Sequence, residues 1–186
     1  MITVLKSRRA THATRAAAVD YLWPAELAEL TGFYADEVAS GQYPWIEFDV
    51  NQRWHQRLYR DRRVDIWVIS WLPEQGTRLH DHGGSSGAFT VLSGTLTESV
   101  PSGYQDARMQ VRDTDVQAGG SVRFGRHYIH DVRNLANRPA ISVHAYSPPL
   151  TSMTYYDVVG GELVTAETVP THRPEAANSG THRIAS

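Results

Sequence analysis

The sequence predicts an all-β fold, with short helices confined to its N-terminal side. Three observations carry this. From Trp54 onward the 186-residue chain breaks into short runs rich in β-branched and aromatic residues. Glycine-bearing turns such as Gly94, Gly103 and Gly119-Gly120 separate those runs at close spacing. Helical periodicity appears only before Gly41. Many short strands joined by tight turns bury their apolar faces by closing into an antiparallel sandwich or small barrel.

Taken in order, residues 1–11 read as a loose arm. From Thr14 to about Ser40, two short helices are expected on either side of Pro24: Ala17, Val19, Tyr21 and Leu22 precede it. Leu27, Leu30, Phe33, Tyr34 and Val38 follow at helical spacing. Gly41 and Pro44 end the second helix. Val64–Trp71 is a strong strand, and Leu72-Pro73-Glu74-Gln75-Gly76 a turn. Further strands are expected at 78–82, 87–93, 95–100, 107–112, 120–124, 128–134 and 139–146. Beyond Glu162 the sequence is Thr/Pro/Ala-rich with little periodicity. The expected organisation is therefore residues 1–48 as arm and helices packed on a barrel, 49–160 as the barrel, and 161–186 as a flexible tail, all one structural domain.

Composition narrows function. A formal net charge of −2 and a pI near 6.5 argue against nucleic acid or an anionic membrane as partner. No apolar run is long enough to span a bilayer. Met1–Arg15 is basic but has no apolar stretch, so a signal peptide is not expected and a cytoplasmic setting is the simplest reading. Cysteine is absent, which removes disulfides and leaves His, Asp and Glu as metal ligands.

The histidines then stand out. His80 and His82 flank Asp81, and on an extended segment residues i and i+2 project to one face, so both rings can meet one ion. Asp81 projects the other way and reads as a structural acceptor. His130 lies in a second strand-like run, Tyr128–Asn134. Three imidazoles from two strands would cover one face of an ion and leave the opposite face open. Asp113 and Asp115 read as exposed strand or turn residues, and Arg126 and His127, just before His130, as structural, with lining the pocket as the alternative. His55 is left between pocket and surface. His12, His172 and His182 carry no metal signal.

Gly76-x3-His80-x-His82, followed by Gly94 and then His130-x3-Asn134, resembles the two-part signature of the cupins. Where that signature usually has a glutamate after the second histidine, this chain has Gly87. Together with Ser142-Val143-His144-Ala145-Tyr146-Ser147-Pro148-Pro149, the pattern resembles the cysteine dioxygenase family over roughly residues 50 to 158. The resemblance implies a cupin-type, jelly-roll-like barrel and an Fe(2+) thiol dioxygenase with His80, His82 and His130 as ligands. Its partners are then a small thiol and O2. It further implies that Tyr146 reaches substrate, His144 holds Tyr146, Ser142 orients His144, and the Ser147–Pro148 bond is cis. Some family members join a cysteine to the tyrosine through a thioether; Gly87 and the absence of cysteine forbid that here.

The substrate carboxylate has several candidate partners. The family places an arginine, or in mercaptopropionate-oxidising relatives a glutamine, in a short aromatic-x-Arg segment. Trp54-His55-Gln56-Arg57-Leu58 aligns Gln56 with that place; a one-residue shift presents Arg57, and Arg60 lies close by. L-cysteine is the first expectation and 3-mercaptopropionate or another carboxylated thiol the second. From another class, the chain could be a metal-binding cupin that senses a ligand without turnover.

Overall fold

A computed structural model describes residues 21–105 and 108–174. It holds one helix and ten strands among those residues: α1 (Pro24–Ala39), β1 (His55–Arg60), β2 (Asp65–Trp71), β3 (Ser86–Ser93), β4 (Thr95–Gln105), β5 (Arg108–Gln117), β6 (Ser121–Phe124), β7 (Asp131–Arg133), β8 (Ala140–Ser147), β9 (Ser152–Val159) and β10 (Glu162–Pro170). The strands form a five-stranded sheet in the order β1-β2-β8-β3-β6, a three-stranded sheet β5-β4-β7 and a hairpin β10-β9. The expected all-β, jelly-roll-like architecture is what forms.

α1 starts where Pro24 supplies a preset φ, and the Glu26 carboxylate accepts a hydrogen bond from the Trp23 N–H at 2.7 Å. It ends at Ser40 and Gly41, the latter at φ +83°. Leu27, Ala35 and Val38 bury one face of the helix against Ile66, Ala88, Val143 and Ala145. The Thr31 and Thr90 hydroxyls, 2.8 Å apart, pin it to β3. The first of the two expected helices, beginning at Thr14, falls almost wholly outside the described residues.

The helix makes the central strands two-faced. Along β2, Ile66 packs with α1 and Val68 shares its side by alternation, whereas Trp67, Ile69 and Trp71 face the barrel interior with Phe89, Leu96, Phe124 and Val132. Every residue of β2 is buried. β8 repeats the arrangement: Val143 and Ala145 face outward to the helix, and Ser142, His144 and Tyr146 face inward.

Two expectations need correction. Residues 78–82 are not a regular strand; they make isolated bridges, His80 with His130 on one side and with Tyr155 on the other. The positive φ of Gly83 and Gly84 turns the chain away directly afterwards. The expected tail is ordered over Glu162–Pro170, which pairs with β9 from Val159 to Ser152. Gly160 and Gly161, both at positive φ, form the tight turn between them. β10 lies almost wholly exposed, so it carries no apolar alternation to betray it. Residues 175–186 lie outside the described residues.

Candidate metal centre

His80 sits in the middle of a backbone clamp. Its N–H donates to the His130 carbonyl and its carbonyl accepts from the His130 N–H, at 2.9 and 3.0 Å. On the other flank, the Asp81 N–H donates to the Thr154 carbonyl and the Tyr156 N–H to the Leu79 carbonyl, each at 2.9 Å. An extended pair that exchanges both hydrogen bonds places its side chains side by side. His82 follows two residues on, and the three rings converge. Ring centroids are 4.8 Å apart for His80–His82, 4.9 Å for His80–His130 and 5.1 Å for His82–His130. One potential ligand atom from each lies within 4.8 Å of the others, and all three residues are buried. Asp81 turns outward, accepting hydrogen bonds from the Tyr156 phenol at 2.7 Å and the Gly83 N–H at 2.8 Å, as its parity requires.

The donor set fits a metal ion. His80 Nδ1 donates to the Arg78 carbonyl at 2.7 Å and His130 Nδ1 to a Glu98 carboxylate oxygen at 2.8 Å. With Nδ1 engaged in each ring, Nε2 is the nitrogen left to face a metal. Burial, followed by the neighbouring imidazoles, holds the pKa of His80 and of His82 well below 6.5. Three buried imidazoles, each offering a ring nitrogen within 4.8 Å of the others, make a donor set that could hold one metal ion.

Beside the triad lies a small, partly enclosed cavity. Its walls include His80, His130, His144 and Tyr146, together with Arg53, Trp71, Thr77 and Met153, and Pro174. The inward face of β8 forms a hydrogen-bonded line. The Trp71 indole N–H donates to Ser142 Oγ at 2.8 Å, and Ser142 Oγ lies 2.8 Å from His144 Nε2. Because the indole can only donate, the serine proton is free to go to His144 Nε2. The His144 proton then sits on Nδ1, 3.4 Å from the Tyr146 hydroxyl. That assignment leaves the phenol proton of Tyr146 available to the cavity. Burial, then the Arg53 charge and His130, holds His144 well below 6.5. Burial raises the Tyr146 pKa, with Arg53 opposing, so the phenol is protonated at neutral pH. The Ser147–Pro148 bond is cis, as expected.

The cation in the cavity is not one the alignment singled out. Gln56 pairs with Val68, which shares the α1 side of β2, so its side chain leaves on the face away from the cavity and is exposed. Arg57 has the inward parity but is held against the Trp67 ring and by Asp65, with Nε 2.9 Å from the carboxylate. Arg60 meets the same Asp65 at 3.0 Å. Asp65 is fully buried, and these two guanidinium groups compensate its charge. The cavity is instead lined by Arg53, only 3% exposed, with its guanidinium 4.7 Å above the Trp71 ring. Arg53 shares the odd-numbered parity of His55 and Arg57, which was the available signal. His55 is half-buried against Trp67 and is not among the cavity residues. Arg126, His127, Asp113 and Asp115 are exposed. His172 Nδ1 donates to the Leu150 carbonyl at 3.1 Å, a structural contact; His12 and His182 lie outside the described residues.

Two further residues escaped the sequence reading. Glu98, 4% exposed, is the acceptor for His130. Phe124 stacks on His82 at 4.7 Å, directly over Gly87, where any added Cβ would overlap its ring.

Among known proteins, the chain matches the family model of cysteine dioxygenase type I over residues 16–159. Cysteine dioxygenase type 1 of Danio rerio is 26% identical over 131 residues, covering 63% of this chain. This chain spans 64% of that curated relative's length. A conserved protein with a double-stranded beta-helix domain from Klebsiella pneumoniae is 17% identical, covers 72% of this chain and 94% of that one, and has a TM-score of 0.48. A cupin superfamily protein from Desulfitobacterium hafniense is 16% identical, covers 55% and 83% respectively, and has a TM-score of 0.46. No helix among the described residues is long and apolar enough to cross a membrane.

Proposed function

The chain belongs to the cysteine dioxygenase family, and on that premise we propose that it is an Fe(2+)-dependent thiol dioxygenase acting on a small carboxylated thiol. The reaction, RSH + O2 → RSO2H, balances without a further reductant and moves the sulfur to the sulfinic level. The observation that carries this reading is one cavity walled by buried imidazoles, a guanidinium and a phenol, beside a three-histidine cluster. His80, His82 and His130 would hold the iron. When bound there, it supplies the redox chemistry that joins O2 to sulfur.

The chain's own residues do the rest. Arg53 takes the substrate carboxylate, because a guanidinium offers paired charged donors where Gln56 would offer a neutral one at best. Its stacking on Trp71 restricts where that carboxylate can sit. Tyr146 directs its phenol proton at substrate or oxygen, His144 holds the phenol oxygen through Nδ1, and Ser142 with Trp71 fixes the imidazole tautomer. Trp71 and Met153, apolar walls of the cavity, keep bulk water out.

L-cysteine is the first substrate of this proposal. The second, 3-mercaptopropionate, draws support from the described cavity residues, which include no carboxylate to pair with an ammonium group. A cytoplasmic setting, where small thiols stay reduced, belongs to the same reading. The test is oxygen-electrode and mass-spectrometric analysis of iron-loaded protein with a thiol panel. The expected result is one O2 consumed per thiol and a product heavier by two oxygens. Iron-loaded protein that binds thiols without consuming O2 would instead be a metal-binding ligand sensor.

A further inference from the structure

Two of the three imidazoles are tied to each other by a path that does not pass through the space between them. Glu98, on β4, is buried and accepts the His130 Nδ1 proton at 2.8 Å. The Tyr128 phenol lies near the same carboxylate. The Tyr128 ring stacks on Phe124, with centroids 5.4 Å apart and planes 13° from parallel. Phe124 in turn stacks on His82 at 4.7 Å and 23°. The path His130–Glu98–Tyr128–Phe124–His82 thus braces both rings from behind.

The acceptors behind the rings differ. His80 leans on a neutral carbonyl, that of Arg78, whereas His130 leans on a carboxylate. A carboxylate acceptor makes a stronger hydrogen bond and raises the basicity of the opposite nitrogen. Resting on the metal-centre reading above, we propose that Glu98 is a positioning residue for the metal. It locks the His130 tautomer and places negative charge behind that ligand, with Tyr128 beside the carboxylate. The charge strengthens binding of a divalent cation and favours the ferric over the ferrous state.

The test uses the full chain, metal-free, titrated with Co(II) and followed by visible absorption, so no turnover is needed. Glu98→Gln keeps the size and one acceptor oxygen but removes the charge. It is expected to weaken Co(II) binding by roughly 10–100-fold and to alter the cobalt spectrum. The iron midpoint potential should move positive. Tyr128→Phe, a milder change that keeps the ring stack, should weaken Co(II) binding in the same direction by a smaller factor. If the folded Glu98→Gln variant matches wild type in affinity, spectrum and potential, the proposal fails while the metal centre stands. Should Glu98→Gln not fold, an unchanged Co(II) affinity and spectrum in Tyr128→Phe overturns it. Wild-type protein that takes up no Co(II) or Fe(II) at all removes both this proposal and the reading beneath it.

Discussion

His80 and His130 exchange both of their backbone hydrogen bonds, at 2.9 and 3.0 Å, so the chain itself sets the distance between their rings. Side-chain replacement at either position should leave that bridge standing. His80→Ala and His130→Ala are therefore expected to fold with an unchanged far-ultraviolet circular dichroism spectrum. Their bound iron should fall by an order of magnitude or more, as loss of a direct ligand exceeds the roughly 10–100-fold seen for outer partners. Elemental analysis of dialysed protein decides it; full iron occupancy in either variant would count against a three-histidine centre.

The same imidazoles make stability depend on pH. Burial holds His80, His82 and His144 well below 6.5 in the folded chain, with neighbouring histidines and Arg53 adding to it. In the unfolded chain they titrate near 6.5. Between those limits the unfolded chain binds more protons, so unfolding free energy rises with pH. The metal-free protein should lose stability as pH drops through about 6.5 and keep losing it towards the depressed folded values. Thermal melts across that range test this. A melting temperature independent of pH there, or one that rises on acidification, contradicts it.

Arg53 and the exposed Gln56 should separate cleanly in kinetics. Removing a charged hydrogen-bond donor costs about 1.5–3 kcal/mol, or roughly 10–150-fold in affinity. Arg53→Ala is expected to raise the KM for a carboxylated thiol by such a factor. Gln56→Ala should change it less than about 2-fold, within the usual range for surface substitutions. Arg57→Ala and Arg60→Ala should instead lower the melting temperature, because each leaves the buried Asp65 with one guanidinium fewer. A KM effect at Gln56 equal to that at Arg53 would relocate the carboxylate site.

Tyr146→Phe removes one proton from the cavity and little volume. A positioned proton donor contributes typically 10²–10⁴-fold, so kcat should fall by about that factor with KM nearly unchanged. Ser142→Ala should give a smaller fall in kcat, since it acts on Tyr146 only through His144. It also leaves the Trp71 indole N–H unsatisfied, which should appear as a lower melting temperature. Wild-type kcat in Tyr146→Phe would remove the phenol from the reaction.

Much of this was legible in the residues. The i, i+2 spacing of His80 and His82 implied a shared face, and Ser142, His144 and Tyr146 showed theirs by alternation along β8. β2 announced itself because a strand covered on both faces is a continuous apolar run. What stayed hidden had physical reasons. β10 is exposed, so its only mark was the Gly160-Gly161 turn before it. Arg53 was overlooked because a local motif was matched by its flanking residues. The parity of β1 against β2, which turns Gln56 outward, depends on a pairing far along the chain. Glu98 looked like any strand carboxylate until β4 was laid beside β7.

Phe124 lying across Gly87 has a consequence for how this chain could change by descent. A cysteine at 87, the route by which some relatives tether the tyrosine covalently, would collide with an aromatic ring already serving His82. A side chain at 87 would therefore require the Phe124 ring to shift away from its place on His82.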